Sequence, residues 1–86
     1  MKINQLIDIL DKKLNENFEI NSLKIEDKSF LHTKHKSFVK DKFHIKLILI
    51  SDELKLLKSI DANKKIFAAL KEEMNNHIHS LQIKIN

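Results

Sequence analysis

Eighty-six residues pass without a single glycine, proline or cysteine. Such a chain has no residue type dedicated to marking turns. The ends of its elements must therefore be read from hydrophobic periodicity and from asparagine, aspartate and serine. Without cysteine no disulfide can form, so stability in so short a chain has to come from its own apolar core or from a partner. A reducing compartment is allowed by this. The length suits one small domain over residues 1–86. No unbroken apolar run, Leu47 to Ile50 included, comes near the roughly 20 residues a membrane-crossing helix needs. The N-terminal segment carries no apolar block of the secretory type. The expectation is neither a membrane protein nor an exported precursor.

Periodicity places the elements. Ile3, Leu6, Ile7, Leu10 and Leu14 recur at three- and four-residue spacing, which predicts an amphipathic helix ending near Asn15 to Asn17. Phe18 to Ile20 and then Leu23 and Ile25 alternate with a slip in phase, which predicts a turn at Asn21 and Ser22 before a strand near residues 22–27. Lys28 to Lys42 has no period and is expected to be a long, mobile loop. Phe43 to Ile50 is apolar on both parities except at His44 and Lys46, the pattern of a central or doubly covered strand.

Ser51 or Asp52 can cap a short helix over Glu53 to about Lys58, and Asp61 can cap a longer one. Ile66, Phe67, Leu70 and Met74 are expected on the buried stripe of that longer helix, with Asn75 or Asn76 as a left-handed stop. His79, Leu81, Ile83 and Ile85 alternate with Ser80, Gln82 and Lys84, predicting a third strand with one buried face. His77 falls on the same parity as His79 at the start of that strand.

The order is helix, strand, strand, helix, helix, strand (α-β-β-α-α-β), an α+β sandwich with helices on one face of a three-stranded sheet. The connection through two helices to the last strand resembles a KH-type arrangement. A KH domain clamps nucleic acid with a Gly-x-x-Gly loop between its two helices. Here that segment reads Leu56-Leu57-Lys58-Ser59-Ile60.

The net charge is +4, from 16 lysines and 12 acidic residues with no arginine. Lysine holds phosphate as a point charge but lacks the planar fork that reads guanine edges. Nucleic-acid binding would rest on Lys34, Lys36, Lys40 and Lys42, with Lys55 and Lys58, giving phosphate contacts without base readout. The plainer reading of these lysines is a solvated face.

The five histidines carry the main chemical potential. His32 and His35 are three apart in the loop, and His77 and His79 flank the start of the last strand. Neutral imidazoles at such spacings bind zinc, although structural zinc sites usually add cysteine. There is no glycine-rich phosphate cradle, no thiol nucleophile and no Gly-x-Ser-x-Gly elbow. Glu72 and Glu73 are neighbours on a helix and point about 100° apart, so they cannot face each other as acid and base. An enzyme is not expected.

Four blocks in order give the chain a resemblance to the BolA-like proteins. Asp27-Lys28-Ser29-Phe30-Leu31-His32 looks like that family's Asp-Glu-Ser-x-x-His stretch. Phe43-His44-Ile45-Lys46 through Ser51-Asp52 is similar to its Ser-His-Phe-Lys and Ser-Asp blocks. Leu70-Lys71-Glu72-Glu73-Met74 and His79-Ser80-Leu81 fall where the family has Leu-x-Glu-Glu and His-Ala-Leu. The chain departs at Leu56, where the family often has glycine, and at Ala62-Asn63-Lys64, where it has Arg-His-Arg. The family continues into a C-terminal helix where this sequence stops at Asn86.

The resemblance implies a non-catalytic partner of a monothiol glutaredoxin, acting with glutathione and sharing a two-iron, two-sulfur (2Fe-2S) cluster in iron–sulfur trafficking or iron regulation. The implied ligands are His79 and His32, with His35 as a substitute for His32. The isolated chain, a monomer or weak homodimer, is then expected to hold no cluster of its own. The implied compartment is the cytoplasm, or alternatively the matrix of mitochondria or another organelle. A DNA-binding transcriptional regulator, also implied by some relatives, is the alternative, and a metal-free interaction module is a third.

Overall fold

The computed structural model describes residues 1–29 and 42–86. The first helix, α1, runs Ile3–Asn17, and its four-residue repeat puts Leu6, Leu10 and Leu14 fully out of solvent. The Lys2 backbone N–H donates to Gln5 Oε1 at 3.1 Å, so one donor at the start of the helix is satisfied by its third residue. Phe18 turns to extended backbone and ends the helix, with its N–H donating to Leu14 O at 3.0 Å.

Strand β1 (Ser22–Asp27) pairs antiparallel with β2 (Phe43–Ile50), and β2 pairs parallel with β3 (Ile78–Ile85). The sheet order is β1-β2-β3, so the most apolar strand is the central one, as its two-parity pattern predicts. Ile45, Leu47 and Leu49 point to the helices and are buried, while Ile50 on the other parity is 45% exposed. The Asn21 N–H donates to Ile50 O at 2.8 Å, which fixes the turn into β1 without a glycine.

Three helical pieces make the crossover from β2 to β3: α2 (Asp52–Lys55), α3 (Ser59–Ala69) and α4 (Lys71–Asn76). Leu54, Ala62, Ile66 and Leu70 from this crossover join the α1 leucines and the β2 face in one core. None of the helices in the described residues is long and apolar enough to cross a membrane.

Four expectations need correction. The longer helix is two, because Leu70 (φ −104°, ψ 18°) leaves helical geometry and serves as the end of α3 and the start of α4. Its cap is Lys58, with Asp61 inside the first turn rather than at the boundary. Phe67 is 38% exposed, and the buried stripe runs through Ala62, Ile66 and Leu70 instead. No described residue has a positive φ, so Asn75 and Asn76 do not form a left-handed stop; the helix ends at His77, whose backbone (φ −131°, ψ −17°) is neither helical nor extended.

Ser51 is the cap of α2 and does a second task. Its side chain accepts from the Leu54 N–H at 3.2 Å and donates to Glu19 O at 2.7 Å, tying the crossover to the segment before β1. It is fully buried. Ser51→Ala leaves the buried Leu54 N–H and the part-buried Glu19 carbonyl without that partner, and is expected to cost about 2 kcal/mol in urea unfolding. A midpoint unchanged by the substitution would show that this tie carries no stability.

A second tie joins α1 to α4. Glu73 is only 4% exposed and accepts from Lys13 Nζ at 2.9 and 2.7 Å, with Glu72 a further 3.6 Å contact for the same lysine. The hydrogen bond to Glu73 raises the Lys13 pKa above its ordinary 10.5, against a smaller opposing effect of desolvation. A raised lysine pKa means the pair's contribution is fully present below the ordinary value and is lost as pH climbs through the raised one. The stability gap between the wild type and Lys13→Met should therefore hold steady from pH 7 to about 10 and narrow above that. Chemical denaturation at both ends of the range measures it, and a gap that widens with pH would contradict the pairing.

Candidate functional site at the start of β3

The entry to β3 is built backbone first. The His77 N–H donates to Glu73 O at 2.8 Å, and the His77 carbonyl accepts from the Phe43 N–H at 2.9 Å, so the end of α4 is pinned to the start of β2. His77 thus lies in the turn before β3 rather than on the strand. Ile78 then drops into the core at 2% exposure, opposite Phe43.

Past this point the register shifts. Phe43 pairs with Ile78, but His44 pairs with Ser80, which leaves His79 as the extra residue of a bulge. The alternation read from sequence places His79 on the buried parity with Leu81, Ile83 and Ile85. The bulge overturns that placement: His79 is exposed, while the three apolar residues that follow are half-buried on the core side.

His44 lies beside it. It is 3% exposed, and its ring centroid is 4.8 Å from that of His79 at an interplanar angle of 54°. Its Nδ1 is 2.7 Å from Ser80 Oγ. Its N–H donates to Ser29 Oγ at 3.1 Å, and its carbonyl accepts from the Lys28 N–H at 2.7 Å. Ser29 is itself held, with its N–H donating to Asp27 Oδ1 at 2.9 Å. The result is one exposed imidazole on a fixed strand, resting against a buried one.

Of the residues expected in the site, His79 is placed by this geometry. His32 and His35 lie outside the described residues, as do Lys34, Lys36 and Lys40. Lys42 is described and donates to Asn75 O at 3.2 Å, at the C-terminal end of α4 where a cation is favoured. The sequence reading did not connect His44 with His79. The signal available was that His44 and Lys46 interrupt an otherwise apolar strand; only the parallel pairing of β2 with β3 shows which of them meets the histidine.

A family model described as BolA-like protein matches residues 14–86. The chain belongs to the BolA-like protein family. It is similar to the protein named DNA-binding transcriptional regulator BolA of Haemophilus influenzae, 28% identical over 75 residues, with 87% of this chain and 70% of that protein covered. The protein of the same name from Vibrio cholerae is 28% identical over 76 residues, covering 88% of this chain and 69% of that protein. Among solved structures, the BolA domain of SufE1 from Arabidopsis thaliana superposes with a TM-score of 0.79 at 21% identity, covering all of this chain and 93% of that one. BolA1 from Arabidopsis thaliana gives 0.77 at 24% identity, covering 92% and 87%. At these identities the structural matches establish the BolA fold, with its three-stranded mixed sheet and packed helices, and nothing finer.

Among the described residues, this BolA-like chain gathers no complete set of metal donors. It has no thiol anywhere, and among the described residues no group of three histidine, aspartate or glutamate side chains gathers where a metal could sit. What β3 presents is a single imidazole, which can give one lone pair to a metal shared with another molecule.

Proposed function

We propose that this BolA-like chain is a non-catalytic partner of a monothiol glutaredoxin, with glutathione, and that the two share a 2Fe-2S cluster. The observation that carries the reading is the exposed His79 imidazole on the β3 bulge, backed by the His44 ring at 4.8 Å. Such a cluster takes four ligands, normally thiolates, with histidine replacing cysteine in mixed centres. A chain without cysteine can supply only imidazole, so the sulfur ligands belong to the partner and its glutathione. His79 is the ligand from the strand; His32, with His35 as its substitute, is the proposed second from the segment before β2. The test is to mix the chain with cluster-loaded glutaredoxin. A heterodimer with altered visible absorption and circular dichroism supports the reading; a glutaredoxin spectrum left unchanged at saturating chain rejects it.

A second reading has its own support, in the names of the relatives from Haemophilus influenzae and Vibrio cholerae, both DNA-binding transcriptional regulators. DNA binding by this chain would use lysines on phosphate, among them Lys34, Lys36, Lys40 and Lys42, with exposed Lys55 and Lys58 on the crossover. Binding of that kind falls steeply with salt and varies little with sequence. Titration of duplex DNA at two salt concentrations separates it from the cluster-sharing role.

A further inference from the structure

We propose that Ser80 and His44 are positioning residues for His79: the hydrogen bond between them fixes the buried ring against which the exposed ring is oriented. This rests on the reading of His79 as a metal ligand for its purpose, but not for its physical content. An exposed imidazole on a strand is free to exchange rotamers, and its terminal torsion is broad. Here one side of the His79 ring meets His44, at 4.8 Å and a 54° tilt. Whether that contact orients His79 depends on whether His44 is itself held.

Three contacts within the described residues contribute to holding it. The His44 backbone is fixed through Ser29 Oγ at 3.1 Å and the Lys28 N–H at 2.7 Å. Its ring is fixed about the last torsion by Ser80 Oγ, 2.7 Å from Nδ1. That bond favours one of the two ring orientations, which differ in the nitrogen and carbon edges presented to His79. The bond also closes the irregular point of the sheet. Ser80 directly follows the bulged residue and is the register partner of His44, so one side-chain bond spans the place where β3 could slip against β2. The direction of the His79 donor atom is thereby set when the protein folds, before any metal arrives.

The test reads ring order in the free protein, with histidine rings labelled for carbon and nitrogen relaxation. Ser80→Ala should leave the backbone spectrum of β3 in place but give His79 a clearly more mobile ring, and Ser80→Thr, which keeps the hydroxyl on a strand-compatible residue, should restore it. In the wild type, the Ser80 hydroxyl proton should exchange slowly enough to be observed beside the His44 ring. Ring relaxation and shifts of His79 identical in the wild type and Ser80→Ala, or a Ser80 hydroxyl in free exchange, would overturn the proposal. In the cluster-loaded heterodimer, Ser80→Ala should lose cluster to a chelator about tenfold faster than the wild type, in line with the loss of a ligand's supporting hydrogen bond. If Ser80→Ala loosens the ring while His79→Ala leaves the heterodimer spectrum untouched, the positioning stands and the cluster-sharing reading fails.

Discussion

His79→Ala should abolish the altered spectrum of the heterodimer with cluster-loaded glutaredoxin, while the two chains still associate. The side chain is exposed and sits on a bulge, so its removal takes nothing from the core and should change stability by no more than about 0.5 kcal/mol. Loss of the spectrum would then report loss of a ligand. His32→Ala should weaken the spectrum, and His32→Ala combined with His35→Ala should remove it, if His35 stands in for His32 as proposed. His77→Ala is the control, because His77 acts in the structure through its backbone, as the acceptor for the Phe43 N–H at 2.9 Å. A spectrum that survives His79→Ala and disappears in His77→Ala would show that the ligand set is built from other histidines.

The parts of this fold that were legible in the sequence are those decided by local periodicity. Leu6, Leu10 and Leu14 repeat every four residues and are all fully buried; β1 and β2 fall at residues 22–27 and 43–50 as their patterns predict. Ser51 reads as a cap and is one. What local pattern could not supply was the effect of distant partners. The apolar spacing through Ile66, Leu70 and Met74 is continuous, and nothing in it marks the break at Leu70. Glu73 looks like a surface residue beside Glu72 until Lys13, sixty positions earlier, is brought against it at 2.7 Å.

The site shows the same division. His79 is proposed as a ligand from the resemblance of the blocks of sequence around it, but its phase could not be read. Strict alternation puts it with Leu81 on the core side, whereas burial of Ile78 opposite Phe43 forces an extra residue into β3 and turns His79 outward. Neither the bulge nor the contact with His44 exists without the parallel pairing of β2 and β3. That pairing joins segments separated by the whole helical crossover, so its register is a tertiary fact.

That dependence on β2 makes Leu47 the position where a single truncation should do most damage. It is fully buried at the middle of the central strand, paired across one side with Ile25 and across the other with Ile83. Leu47→Ala removes its apolar contacts and leaves a cavity between sheet and helices that the two flanking strands hold open, a change that costs about 2 to 5 kcal/mol. A domain of this length has a total stability of about 4 to 13 kcal/mol. The substitution should therefore lower the urea midpoint sharply, with little change in slope, and at the upper end of the range should leave a substantial fraction unfolded in water. Leu56→Ala deletes the same atoms from a side chain that is 88% exposed and should shift the midpoint hardly at all. Equal effects at the two positions would mean that β2 is not the centre of the core. Because β2 also carries His44, Leu47→Ala should loosen the His44 and His79 rings before global unfolding, which ring relaxation can follow in mild urea.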